Sequence, residues 1–205
     1  MMLVENGKLF LADPVSKYLP ELKGVKVGVE KKDAAGNAVL EEVAAVREMS
    51  IHDLLRHTSG FTYGIFGTSL LKQRYVDTKV EGDRNQTNAE HVGRLAKLPL
   101  AYQPGSTFEY GRSTDVLGAV IERVTGQTLE VFLFERILKP LGMKDTGFSV
   151  DPAKHARIAE PFAVDIRTQR RRCCCRICVR RLAFNAAVLA WSPQRQTITG
   201  FCKCC

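Results

Sequence analysis

At 205 residues, with 45% hydrophobic, 25% charged and 8% aromatic residues, the chain has the composition of a globular protein and the length of one domain with a sizeable core or of part of a larger one, which argues against disorder throughout. The net charge of +8 lies entirely beyond Val164: residues 1–164 carry 21 Lys and Arg against 21 Asp and Glu, whereas residues 165–205 carry nine against Asp165 alone. All seven cysteines fall in that same stretch, so neither charge nor thiols describe the first 164 residues, and a cysteine-free body is silent on redox compartment.

Taken in chain order, "MMLVENGKLFL" puts an acid and a glycine where a signal peptide needs an apolar run, so no leader is expected. Met1–Glu5 reads as the last turns of a helix whose start lies outside the chain. "LADPVSKYLPEL" is a turn-rich connector with Pro14 and Pro20 as helix stops. "VKVGVEKKDAAGNAVLEEV" alternates Val25, Val27 and Val29 with polar residues, passes through Gly-Asn and resumes at Val39 and Leu40, the pattern of a β-hairpin.

"SIHDLLRHTSG" starts a short helix with Ser50 as N-cap and Asp53 three residues on, and the spacing closes it at Gly60. A glycine- and aromatic-rich loop is expected from Phe61 to Tyr75, then a polar linker to Asn88. Asn88 is the expected cap of "AEHVGRLAKL", with Val92, Leu95 and Leu98 at helical spacing before Pro99. From Ser113, the residues Val116, Leu117, Val120, Ile121 and Val124 predict an amphipathic helix ended by Gly126. Thr128 then caps a helix through Ile137, and "KPLGMKDTGFSV" is expected to turn into a short strand. The longest apolar run, Leu182–Trp191, is ten residues long and contains Asn185, too short to span a bilayer.

The chemical question is Tyr110, in "QPGSTFEYGRSTDVLG". On spacing alone it reads as a packed ring. A tyrosine has an ordinary pKa of about 10, so to act as a base near neutrality it needs a cation close by and a nucleophile to serve.

"LLRHTSGFTYG" followed by "QPGSTFEYGRSTDVLGAVIERVTGQTLEVFLFERILKPLGMKDTGF" resembles, in order and spacing, the serine β-lactamase-like family of class C β-lactamases, D-Ala-D-Ala peptidases and family VIII carboxylesterases. The resemblance covers residues 1–163. It implies an α/β (α+β) fold, here a partial β-lactamase/transpeptidase-like one, a helical region plus an incomplete antiparallel sheet in residues 1–164. It also implies acyl transfer, in which the serine of Ser-x-x-Lys attacks an ester, amide or β-lactam carbonyl and a tyrosine is the general base. Tyr110 occupies that tyrosine's place. Arg112 stands where β-lactamases carry Asn, and the Tyr110–Asp115–Gly118 spacing leans toward the esterase branch.

By the same resemblance the nucleophile motif belongs upstream of Met1, and the late Lys-Thr-Gly or His-x-Gly strand has no counterpart in "TITGFCKCC". One literal Ser-x-x-Lys occurs, Ser69 to Lys72, and it reads as a chance match in a solvated loop. The expectation is therefore a serine hydrolase fragment, inactive by itself; the alternative is a non-catalytic pseudoenzyme or binding module that retains part of the pocket. His57 reads as shaping its loop through backbone hydrogen bonds, and Glu109 and Asp115 either tune Tyr110 or serve as solvated or capping acids.

No cofactor or metal is implied. The expected partner is a small-molecule ester, amide or β-lactam. Cys173-Cys174-Cys175-x-x-Cys178 with Cys202-x-Cys204-Cys205 is not a clean pair of zinc knuckles. The arginines among them lack the aromatic interleaving of a nucleic-acid module, so residues 165–205 are expected to be a non-homologous, disordered tail without specific nucleic-acid binding.

Overall fold

The computed structural model describes residues 1–78, 80 and 86–158; the cysteine-rich stretch lies outside them. The chain opens with α1 (Met2–Glu5), whose Leu3 is buried, and passes through 3-10 turns at Val15–Lys17 and Pro20–Leu22. Pro20 begins the second of these turns, and Pro14 is the cap before the first, so neither acts as the expected stop. A fixed φ and a missing N–H suit the first position of a helical turn, where that donor has no partner in any case.

The hairpin is present as β1 (Val27–Lys32) and β2 (Ala38–Val43), antiparallel with Val27 opposite Val43 and Lys32 opposite Ala38. Asp33 closes its turn, accepting from the backbone of Ala35 and Asn37 at 2.9 and 2.8 Å. The hairpin is tied to the body beside Leu100, where Gly28 N donates to Leu100 O and Leu100 N to Lys26 O, each at 2.8 Å.

Helix α2 (Ile51–Leu55) carries the expected capping box: Ser50 Oγ accepts from Asp53 N, and Asp53 accepts from Ser50 N. It ends at Leu55 rather than near Gly60. Arg56 is the C-cap, and His57 takes the left-handed conformation at φ 55°. Thr58 N then returns to Asp53 O at 2.8 Å, which closes the turn without help from glycine.

The segment expected as a loop to Tyr75 contains α3 (Leu70–Asp77), capped by Ser69. Only Leu71 and Tyr75 of this helix are buried, one i,i+4 pair on an otherwise polar segment, which is too thin an apolar stripe to announce a helix. Helix α4 (Asn88–Leu95) is capped by Thr87, not Asn88, because Thr87 and Glu90 form a reciprocal capping box. Helix α5 (Ser113–Thr125) buries Val116, Ala119 and Val120 and ends at Gly126 in the left-handed region, as the periodicity predicts. Thr128 caps α6 (Leu129–Leu133), which widens into a π turn over Phe134–Leu138. Residues 139–150 form turns with no strand, and a 3-10 turn, Pro152–Arg157, follows.

The core lies where α2 and α4 each pack on α5, and α3 packs against the hairpin. Ile51, Leu54, Phe61, Tyr75, Val92, Leu95, Leu100, Val116 and Val120 all belong to one buried cluster. At about 25 cal/mol per Å² of apolar area removed from water, each such side chain contributes roughly 1.5–3 kcal/mol. Tyr75 keeps its hydroxyl satisfied by donating to Pro99 O at 3.0 Å.

Candidate active site

Two stretches build the surroundings of Tyr110: residues 47–66, around and after α2, and residues 101–115, leading into α5. Backbone hydrogen bonds zip them together. Ala101 N donates to Gly60 O and Gly105 N to Thr58 O, both at 2.7 Å, and Glu109 N donates to His57 O at 2.9 Å.

Immediately after Tyr110 the two backbones touch. A Cβ on Gly111 would lie 2.3 Å from Phe61 O and 2.7 Å from Thr62 Cα. Glycine is needed at 111 for space, and the close approach seats the tyrosine against the first stretch.

The Tyr110 ring lies 5.1 Å from the His57 ring and 5.5 Å from the Tyr63 ring, centroid to centroid. Phe108 extends this row beyond His57 at 5.9 Å, and Phe66 extends it beyond Tyr63 at 5.7 Å. Tyr63 is buried, but Tyr110 is 40% exposed. Its ring is packed on two sides and still open to solvent.

His57 Nε2 sits 3.4 Å from Thr114 Oγ1, while Nδ1 is buried with no hydrogen-bond partner among the described residues. Burial pushes the imidazole pKa below its ordinary value, which favours the neutral ring. The structure thus gives His57 backbone and packing contacts with the loop that bears Tyr110.

Arg112 and Asp115 are brought together: Arg112 Nη1 donates to Asp115 Oδ2 at 3.2 Å, and the guanidinium lies 4.5 Å from the Tyr63 ring centroid. Asp115 is buried in the first turn of α5, where a carboxylate also suits the helix dipole. The expectation of a solvated acid does not hold for it. Glu109 is likewise engaged, accepting from Thr62 Oγ1 at 2.6 Å and lying 3.3 Å from Lys72 Nζ.

Ser69 and Lys72 are not a loop pair. Ser69 Oγ accepts from Lys72 N at 3.1 Å as the cap of α3, and the Lys72 ammonium faces Glu109. Two further serines lie under the site, Ser59 and Ser113, bonded to each other at 2.9 Å. Both are fully buried, so neither hydroxyl is open to a substrate.

Tyr63, Phe66 and Phe108 escaped the sequence reading as neighbours of Tyr110. The aromatic-rich run "FTYGIF" was legible as a loop, but nothing in the spacing says which of its rings turns toward a residue nearly fifty positions away.

Residues 1–170 match the Beta-lactamase family. The chain is 37% identical over 165 residues to protein Rv1367c of Mycobacterium tuberculosis, covering 80% of this chain and 39% of the relative. To esterase EstB of Burkholderia gladioli it is 36% identical over 158 residues, covering 76% of this chain and 36% of the esterase. Among solved structures, unliganded simvastatin synthase LovD of Aspergillus terreus superposes with a TM-score of 0.63 at 32% identity, over 82% of this chain and 41% of that one.

The chain belongs to the Beta-lactamase family, and its described part is a portion of the β-lactamase/transpeptidase-like fold. It spans less than half the length of the relatives it matches. Those relatives include an esterase and an acyltransferase by name, which relates the chain to serine hydrolases.

Proposed function

We propose that this chain carries the tyrosine-bearing part of a serine acyl-transfer site for small-molecule esters, with Tyr110 as general base, and that its 205 residues form no acyl-enzyme by themselves. The observation that carries the reading is the contrast between Tyr110 and the lone Ser-x-x-Lys. Tyr110 is fixed by Gly111 and the rings of His57 and Tyr63, yet 40% exposed. Ser69 is committed as a helix cap, and Lys72 is committed to Glu109.

The esterase direction is supported by relatives named as esterase EstB, lovastatin esterase and monacolin J acid methylbutanoyltransferase. Where a nucleophile and its base act as a unit, loss of the nucleophile lowers turnover by on the order of 10⁶, so Tyr110 alone sustains no useful rate.

Two measurements test this. Fluorophosphonate treatment of the 205-residue chain should leave every serine unlabelled; a covalent adduct on Ser69 overturns the assignment. A chimera in which the matching part of this chain replaces that of esterase EstB should hydrolyse p-nitrophenyl butyrate. Tyr110→Phe should slow it roughly 10²–10⁴-fold, whereas a rate within tenfold of the parent chimera removes Tyr110 from the chemistry.

A further inference from the structure

We propose that the row of rings Phe108, His57, Tyr110, Tyr63 and Phe66 is a specificity surface that selects neutral esters bearing a flat apolar group, such as an aryl ring, over substrates bearing a carboxylate. The inference rests on the reading of Tyr110 as the base of an acyl-transfer site and names the substrate class for it.

The row is continuous, with successive centroids 5.9, 5.1, 5.5 and 5.7 Å apart. Buried Tyr63 and part-buried His57 form its floor. Phe108, Tyr110 and Phe66 are 64%, 40% and 47% exposed, so three rings along the row are open to solvent. Contiguous exposed aromatics next to a reactive group are the usual lining of an apolar ligand site, and ring-on-ring contacts reward a flat partner in offset or edge-on geometry.

Charge decides between the two substrate chemistries. A β-lactam antibiotic such as a penicillin carries a carboxylate that needs a cation. Among the described residues, Lys72 is paired with Glu109 at 3.3 Å and Arg112 with Asp115 at 3.2 Å, with the Arg112 guanidinium stacked over Tyr63, so neither cation is unpaired for a ligand. A ligand carboxylate laid on the rings would lose its water and find Lys72 and Arg112 already neutralised by their own acids, which works against binding. A neutral ester meets no such penalty.

The test is binding to the full 205-residue chain, measured by saturation-transfer NMR with two probes that share one ring system. N-(1-naphthyl)acetamide is neutral and resists hydrolysis; 1-naphthoate carries the charge. The acetamide should bind, 1-naphthoate should bind at least tenfold more weakly, and Phe66→Ala with Phe108→Ala should weaken the acetamide about tenfold. Both phenylalanines are exposed, so the double variant should keep the parent's thermal melt; the single variants, each expected to lose roughly threefold, provide a second reading. Equal acetamide binding by parent and double variant, or naphthoate binding as tight as the acetamide's, overturns the proposal. Because no acylation is measured, failure here leaves the fluorophosphonate and chimera results standing, and failure there leaves this binding result standing.

Discussion

Gly111→Ala is the sharpest perturbation of the site that the packing offers. The new methyl would sit 2.3 Å from Phe61 O and 2.7 Å from Phe61 C and Thr62 Cα, against an ordinary contact of 3.4–4 Å. The obstacle is backbone, which cannot rotate away as a side-chain tip can, so the two stretches must separate by roughly an ångström. Overpacking of this kind costs about 1–3 kcal/mol. The Glu109–His57 backbone hydrogen bond, two residues upstream, is strained by the same movement, at about 1 kcal/mol. A loss of about 3 kcal/mol is expected in urea denaturation of the purified chain.

Gly126→Ala is the matched control, because a methyl there meets nothing within 4 Å and the only obstacle is the left-handed φ of 69°. That substitution should cost about 1 kcal/mol and leave the ring signals of Tyr110 in place, whereas Gly111→Ala should shift them as the ring leaves His57 and Tyr63. A Gly111→Ala chain within 0.5 kcal/mol of the parent, or Gly126→Ala as the more damaging change, would falsify the close-approach argument.

Asp53→Ala should lower stability by about 2–3 kcal/mol. It removes the acid of the α2 capping box, a carboxylate held by Arg47 Nη1 and Nη2 at 2.6 and 2.9 Å and by Thr58 at 3.1 Å; a urea midpoint unchanged from the parent refutes that role. Burial, together with Arg112 and Arg94, pushes buried His91 down to about 3, so the unfolded chain, titrating near 6.5, takes up the proton first. Stability should therefore be complete above pH 6.5 and fall by on the order of 4 kcal/mol toward pH 3. A His91→Gln variant should flatten the profile, and an identical slope would remove His91 as its source. His57→Gly should be more stable than His57→Ala by about 1 kcal/mol, since both lose the ring contacts but only glycine relieves the φ of 55°; the reverse order in thermal melts speaks against that backbone strain. Ser69→Ala should cost about 1 kcal/mol as a lost cap, read from the same melts, and no measurable loss would show the cap to be idle.

The elements legible in the sequence were those with redundant signals. Helix α5 combines an apolar stripe with a glycine stop, and α2 has its capping box spelled out by Ser50 and Asp53. The hairpin announces itself through alternating valines and a Gly-Asn turn. Helix α3 was hidden because Leu71 and Tyr75 are its only buried residues, and the end of α2 was hidden because His57, not a glycine, takes the left-handed position. At the site, Tyr110 could be singled out by family resemblance, but its neighbours could not. Pairing Arg112 with Asp115 needs only three residues of helical spacing, whereas bringing Lys72 to Glu109 or Tyr63 to Tyr110 needs two loops to be folded onto each other.

The position of Tyr110 is set almost entirely by short stretches on either side of it in space. Asp53 anchors Arg47 and Thr58; Thr58 O and His57 O receive the second stretch at Gly105 and Glu109; Gly111 then rests on Phe61, and the Ser59–Ser113 bond closes the base of α5. Each stretch is rooted in a helix, α2 or α5, and those helices pack on each other. Half of these contacts are backbone bonds or a backbone approach, and of the side chains in the other half all but the exposed Arg47 are buried: Asp53, Thr58, Ser59 and Ser113. Arg47 aside, the tyrosine's placement is therefore insensitive to surface substitution and sensitive to any change at Asp53, His57 or Gly111. Phe66 and Phe108, whose rings touch Tyr63 and His57 rather than Tyr110, are free to vary without moving the tyrosine, the separation expected where a position is held by packed backbone and its surroundings by exposed rings.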